Sequence, residues 1–272
     1  MTPPAPLPVA PDVHLVRSLP DGGGPLRVAI NSLVIGGEEP VLVDTGAATG
    51  RDDWWRQVEG LVAPVDVRWI FLSHDDADHH GNLFEALERC PRATLVASGA
   101  IAQRLAAHRR LPLERCRWVN DGESFAAGGR DLVAVRPPAY DAPTTRGLFD
   151  VTSGVYWAAD CFGLPVPHAV DEVGQLDPDV QVEGSLLWHR LLSPWVVDVD
   201  PVRWTAAIGR VAALDPQVLA SAHGPLVLRR DVARALDLLG DLPGMPPAPL
   251  PGQADLEAEV AALAALAPPT PA

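Results

Sequence analysis

The stretch Ser73-His74-Asp75-Asp76-Ala77-Asp78-His79-His80-Gly81-Asn82 decides how this chain is read. Six of these ten side chains carry an imidazole or a carboxylate, and the stretch follows an apolar run, residues 67–72, that reads as a buried strand. A catalytic pair or a single proton relay does not need that density. Two metal ions do, because ligands for both must converge in one small volume. On an irregular loop, positions 74, 76 and 78 can turn to a common side, which leaves His79 for the second ion.

Outward from this loop, strand-like and helix-like runs alternate. Val41-Leu42-Val43 reads as a short buried strand ending in Asp44-Thr45-Gly46. A helix is expected after Gly81-Asn82, and Thr94-Leu95-Val96-Ala97 reads as a strand before a helix that Ser98 can cap. Residues 132–135 and 155–159 read as further strands, Val218-Leu219-Ala220 as a late strand ahead of His223-Gly224-Pro225, and residues 231–239 as a helix. This mixture predicts an α/β layered domain with its functional residues on loops leaving strand ends.

The 272 residues, without internal repeat, are enough for a sizeable core in one or two domains. Residues 1–11 are proline-rich and expected to be extended. Residues 12–240 hold the strand and helix pattern, and residues 241–272 form a Pro/Ala-rich tail in which 254–266 could make one short helix. The tail is expected to fray rather than to join copies of the chain. Thirty-five acidic against 21 basic side chains leave a net charge of −14, and every basic residue is arginine. That balance argues against general nucleic-acid binding, which needs a basic face, and does not favour an anionic membrane surface. The arginine bias itself reads as the codon usage of a GC-rich genome. No run reaches the ~18 apolar residues that span a bilayer, and the N-terminus lacks a secretory pattern. Cys90, Cys116 and Cys161 are odd in number and far apart, which excludes a CxxC metal knuckle and argues against a disulfide framework. A cytoplasmic protein with reduced thiols is expected.

The spacing His74-x-Asp76-x-Asp78-His79 resembles the His-x-His-x-Asp-His signature of the metallo-β-lactamase superfamily. Asp76 is the departure. Hydrolases of that superfamily usually carry histidine there, whereas the flavodiiron proteins and the related oxygen-binding di-iron proteins carry a carboxylate. Asn31-Ser32 with Leu33-Val34-Ile35, followed by Val41-Leu42-Val43-Asp44-Thr45, is similar to the opening hairpin of the flavodiiron lactamase-like domain. Asp160-Cys161-Phe162-Gly163 resembles its Asp-Ala-Phe-Gly segment, and Ser221-Ala222-His223-Gly224-Pro225 its Ser-His-Gly-Pro segment. In Pro138-Ala139-Tyr140-Asp141-Ala142-Pro143, Asp141 stands where that family places a ligand histidine. The resemblance covers roughly residues 12–240 and implies a single-domain αββα four-layer sandwich.

It also implies a ligand set. One metal takes His74, Asp76 and Asp141, the other Asp78, His79 and His223, and Asp160 bridges them. Asp141 has a simpler reading as a turn residue before Pro143. Three imidazoles with four carboxylates would balance two divalent cations, and an oxygen-rich set favours iron or manganese over zinc. Asp44 is a candidate for orienting a ligand histidine, or a turn residue at a strand end. Tyr140 is a candidate donor toward a metal-bound ligand, or a packed aromatic. Asp75 and His80 are expected to face solvent. His14, His108, His168 and His189 lack motif context and read as structural or exposed. Trp54, Trp55 and Trp188 read as core or lid packing that could line the pocket.

Three functions follow. The first is a di-iron site that binds O2 or NO, with or without reducing it. The chain carries no FMN domain and no rubredoxin-like segment, so reduction would need an external redox partner. A homodimer is suggested by the resemblance alone. The second is a metal-dependent hydrolase of an ester, lactone, thioester or phosphodiester. The third, a metalloprotein acting only through protein contacts, rests on the tail helix.

Overall fold

A computed structural model describes residues 5–20, 25–107 and 109–266. His108 and the last residues of the tail lie outside the described residues. The chain builds two sheets in succession. The first holds β1 (Leu7–Ala10), β2 (Val13–Val16), β3 (Ser32–Ile35), β4 (Val41–Val43), β5 (Trp69–Phe71), β6 (Thr94–Ala97) and β7 (Cys116–Trp118), side by side in chain order. The second holds β8 (Ser124–Ala127), β9 (Arg130–Val135), β10 (Gly147–Asp150), β11 (Val155–Trp157), β12 (Val218–Ala220) and β13 (Val227–Leu228), ordered from β8 to β13 across the sheet. The helices are α1 (Arg51–Glu59), α2 (Ala77–His80), α3 (Leu83–Arg89), α4 (Gly99–Ala106), α5 (Pro178–Leu192), α6 (Pro201–Ala212), α7 (Arg229–Gly240) and α8 (Gln253–Leu266).

The period-2 alternation of side chains in a strand sorts these elements into four layers. From the first sheet, Leu33, Ile35, Val41, Val43 and Phe71 point inward. They meet Leu132, Leu148, Val155, Trp157 and Ala220 of the second. Val34, Leu42 and Ile70 point outward instead and pack under Trp54, Trp55, Val58, Leu83 and Ile101 of α1, α3 and α4. On the far side Phe149, Tyr156 and Leu219 pack under Trp204, Val211, Val232 and Leu236 of α6 and α7. Both faces of each sheet are therefore buried, which is why the strands read as short continuous apolar runs. This is the expected αββα arrangement.

Ser98 caps α4 as expected, accepting from the Ile101 N–H at 3.3 Å. Two boundaries differ from the reading of composition. Leu7–Ala10 pairs antiparallel with β2, so the sheet begins inside the proline-rich lead-in. At the other end Leu242 is fully buried and the Gly244 N–H donates to the Val197 carbonyl, so packed structure runs past residue 240. The tail helix forms as α8, with Leu256, Val260 and Leu263 exposed. The three cysteines are free thiols. Among the described residues no helix is long and apolar enough to cross a membrane.

Candidate metal centre

Two pairs of parallel strands end at one edge of the sandwich: β4 with β5, and β11 with β12. Just past those ends stand Asp44, Ser73-His74, Asp160 and His223. Three of the turns are strained to place them. Asp44, Ala159 and Phe162 adopt φ of 57°, 51° and 63°, a region costly for residues with a Cβ. Glycine is required at position 81. A Cβ there would lie 2.4 Å from the Ala48 nitrogen and 2.7 Å from the Gly46 oxygen. That close approach, with Gly81 N–H donating to the Gly46 carbonyl, stitches α2 against the Asp44 turn.

The structure brings all seven sequence-predicted side chains into one cluster. His74, Asp76 and Asp141 each offer a ligand atom within 4.8 Å of the other two, and so do Asp78, His79 and His223. Asp160 lies between the trios, with Oδ2 3.3 Å from His74 Nε2 and Oδ1 2.9 Å from His79 Nε2 and 3.2 Å from His223 Nε2. His74, His79, His223 and Asp160 form a buried floor. The Asp76 and Asp78 side chains keep 55% and 33% exposure, so the cluster opens to solvent on their side. Asp76 occupies the N-cap position of α2 but makes no side-chain cap bond, which leaves its carboxyl free to face Asp141.

What holds each ring also decides its tautomer. His79 Nδ1 donates to Asp44 Oδ2 at 2.9 Å, and His223 Nδ1 donates to the Ala29 carbonyl at 2.8 Å. The Ser73 hydroxyl donates to Asp44 at 2.7 Å, so at 3.0 Å from His74 Nδ1 it accepts. All three Nε2 atoms thus point lone pairs at the Asp160 carboxylate, and those of His79 and His223 are only 3.4 Å apart. His74 Nε2 and Asp160 Oδ1 are buried without a hydrogen-bond partner. With the three rings neutral, this leaves acceptors with no donor among them, a set suited to cations.

The electrostatics agree. Burial opposes charge on His79, yet the Asp160 and Asp44 carboxylates outweigh it and raise its pKa well above the ordinary imidazole value. Burial and then the charge of His79 lower His74, but Asp160 overcomes both and the net shift is upward. Burial also opposes charge on Asp160, while His79 and His74 hold it well below the carboxylate range. Burial, then the hydrogen bond with Asp141, pushes Asp76 up to about 6.

Asp44 both makes the strained turn and orients a ring. Its buried carboxylate accepts from His79, from the Ser73 N–H and hydroxyl, and from Trp157 Nε1 at 3.0 Å. Tyr140 packs on Trp195 with ring centroids 4.8 Å apart. Asp75 corrects its expectation. It points away from the cluster as read, but is held by Arg104 rather than left to solvent. Trp54 and Trp55 belong to the outer core, whereas Trp188 of α5 lies 5.0 Å from the His223 ring and donates to the Asp160 carbonyl at 2.9 Å. His189 is buried, taking the Phe162 N–H on Nε2 and donating from Nδ1 to the Ser185 carbonyl, while His168 is exposed. Sequence reasoning missed Ser73, Trp157 and Arg104. Ser73 carried a signal, a hydroxyl next to a candidate ligand histidine. Trp157 and Arg104 lie too far along the chain to carry one.

A two-sheet α/β sandwich with seven candidate ligand side chains gathered at its strand ends has the make-up of a metal-binding domain. The profile of the family described as ODP family beta lactamase matches residues 28–224, and the chain belongs to that family. It is 28% identical over 238 residues to type A flavoprotein fprA of Rhodobacter capsulatus, covering 83% of this chain and 53% of that protein. It is 29% identical over 211 residues to diflavin flavoprotein A 1 of Synechocystis sp., covering 76% of this chain and 35% of that one. The chain thus spans between about a third and a half of these relatives. Among solved structures it superposes on rubredoxin oxygen:oxidoreductase of Desulfovibrio gigas with a TM-score of 0.75 at 17% identity, covering 87% of this chain and 61% of that chain. The flavodiiron protein of Giardia intestinalis gives 0.75 at 15% identity, with 86% and 58% covered. These likenesses show the flavodiiron-type fold.

Proposed function

We propose that this chain holds two metal ions, iron foremost and manganese or zinc as alternatives, and binds O2 or NO at them. Reduction of the diatomic would draw on an external electron donor. One observation carries the reading: the Nε2 atoms of three buried histidines converge on the two Asp160 oxygens at 2.9 to 3.3 Å. Four carboxylates among seven donors suit a hard ion, hence iron or manganese ahead of zinc.

His74, Asp76 and Asp141 would hold one ion, Asp78, His79 and His223 the other, and Asp160 both. When bound, a reduced iron pair supplies electrons to a diatomic. The chain's own part is positional. Asp44, Ser73 and the Ala29 carbonyl fix the three rings, and Trp188 packs over His223 and excludes water from that side. The exposed Asp76 side leaves a path for a small ligand. Two copies of the chain is a proposal that the family resemblance supports, and a cytoplasmic setting one that the three free thiols support.

The test is reconstitution with iron without air, metal analysis, and an optical spectrum before and after O2 or NO. Two irons per chain and a spectral change are expected. A silent spectrum, with zinc conferring esterase activity, would replace this reading with the hydrolase one, in which an activated water cleaves an ester, lactone, thioester or phosphodiester.

A further inference from the structure

Arg104 stands at the C-terminal end of α4, outside the ligand set. Its Nε and Nη2 take both oxygens of Asp75, and Nη2 also donates to Thr144 Oγ1 at 2.6 Å. Asp75 lies between His74 and Asp76, and Thr144 lies in the loop that carries Asp141. A single guanidinium thus ties together the two loops that supply the His74–Asp76–Asp141 trio. We propose that Arg104 is the positioning residue of that trio, clamping its two loops so that three ligand atoms from them converge.

The planar fork of arginine fixes direction as well as distance, which a single charge does not. Arg104 is 44% exposed and Asp75 16%, so the pair adds little to stability in itself. Its effect is geometric. Asp76 and Asp141 face each other on the two loops, so their separation depends on how the loops are held. A backbone link between the loops, Arg146 N–H to the Ser73 carbonyl at 3.0 Å, lies at the strand end, beyond Thr144. The second trio is anchored differently: His79 by Asp44, and His223 by the Ala29 carbonyl. Arg104 touches neither.

The clamp rests on the dinuclear reading and has a sign that separates it from a charge effect. Taking a positive charge away from three carboxylates should tighten cation binding. Taking away a clamp should loosen it. Metal-free full-length chain is dialysed against graded Mn2+, and bound metal is counted. Wild type is expected to hold two ions per chain. Arg104→Gln should bind the ion of the His74 trio tenfold or more weakly, on the scale of a lost ligand-orienting contact, and keep the other. Arg104→Lys, which keeps the charge but not the fork, should fall between. Equal or tighter binding of both ions by Arg104→Gln overturns the clamp. Hydrogen exchange on the metal-free chain decides separately. Amides of residues 141–146 should exchange faster in Arg104→Gln, and unchanged exchange there also overturns it. If wild type binds fewer than two ions, the dinuclear reading fails, while the exchange result still decides the clamp.

Discussion

At the scale of single residues, the same side-chain type does different work according to its partners. Asp160 touches all three imidazoles, whereas Asp141 meets only the His74 trio. Asp160→Ala should therefore lower occupancy of both metal positions, and Asp141→Ala mainly one, as read by metal content after dialysis. Wild-type metal content in Asp160→Ala would refute its bridging place. His189 is the counterexample, a histidine whose burial lowers its pKa from 6.5 to about 4. The unfolded chain takes up that proton at higher pH than the folded one. His189 therefore costs stability as pH falls from 6.5 toward 4, by about 3 kcal/mol in all, and its contribution is flat on either side. Urea unfolding of metal-free protein checks this. Between about pH 7 and pH 5, His189→Gln should lose about 2 kcal/mol less stability than wild type, and equal losses would remove His189 as the cause.

At the scale of elements, the site is made by strand ends and covered by one helix. Gly163 lets α5 come close: a Cβ there would sit 2.2 Å from Trp188 Nε1. Gly163→Ala should force Trp188 off His223 and cost about 1–3 kcal/mol. The same substitution made in Trp188→Ala should cost almost nothing, because the two positions share one contact. A double-mutant cycle by thermal unfolding measures this, and additive costs would mean that α5 is held elsewhere. What was legible in sequence follows the same geography. The run from His74 to His79 stood out because one short stretch carries four of the seven candidate ligands. Asp160 and His223 stood out through the family segments they resemble, each just past a short apolar strand. The Asp44–Trp157 bond was not, because it joins sheets across 113 positions of sequence. At both ends, packed structure lies inside runs whose composition reads as extended or linker-like. Leu7–Ala10 is strand despite its proline, and Leu242 is buried within a linker-like run, both decided by tertiary contacts that composition does not encode.

At the scale of the whole molecule, three apolar layers hold two sheets and their helices together, and α8 stands apart from them. A chain ending at Pro251 should melt within about 1 °C of the full chain, since Leu256, Val260 and Leu263 are more than half exposed. One ending at Gly240 should lose about 2 kcal/mol or more by uncovering the site of Leu242. A stable Gly240 product would place the boundary back where composition put it. The position of the ligands has one more consequence, for the time course of folding. His74 and His223 come from different sheets, and the Asn31 side chain clasps the Ser221 and Gly224 carbonyls across the same seam. No early fragment of the chain can own a complete cation pocket, because closing so long a loop comes late. Metal then acts as a lock on a finished body rather than a template for it. Refolding in the presence of a chelator should proceed at an unchanged rate, and only the unfolding rate should rise.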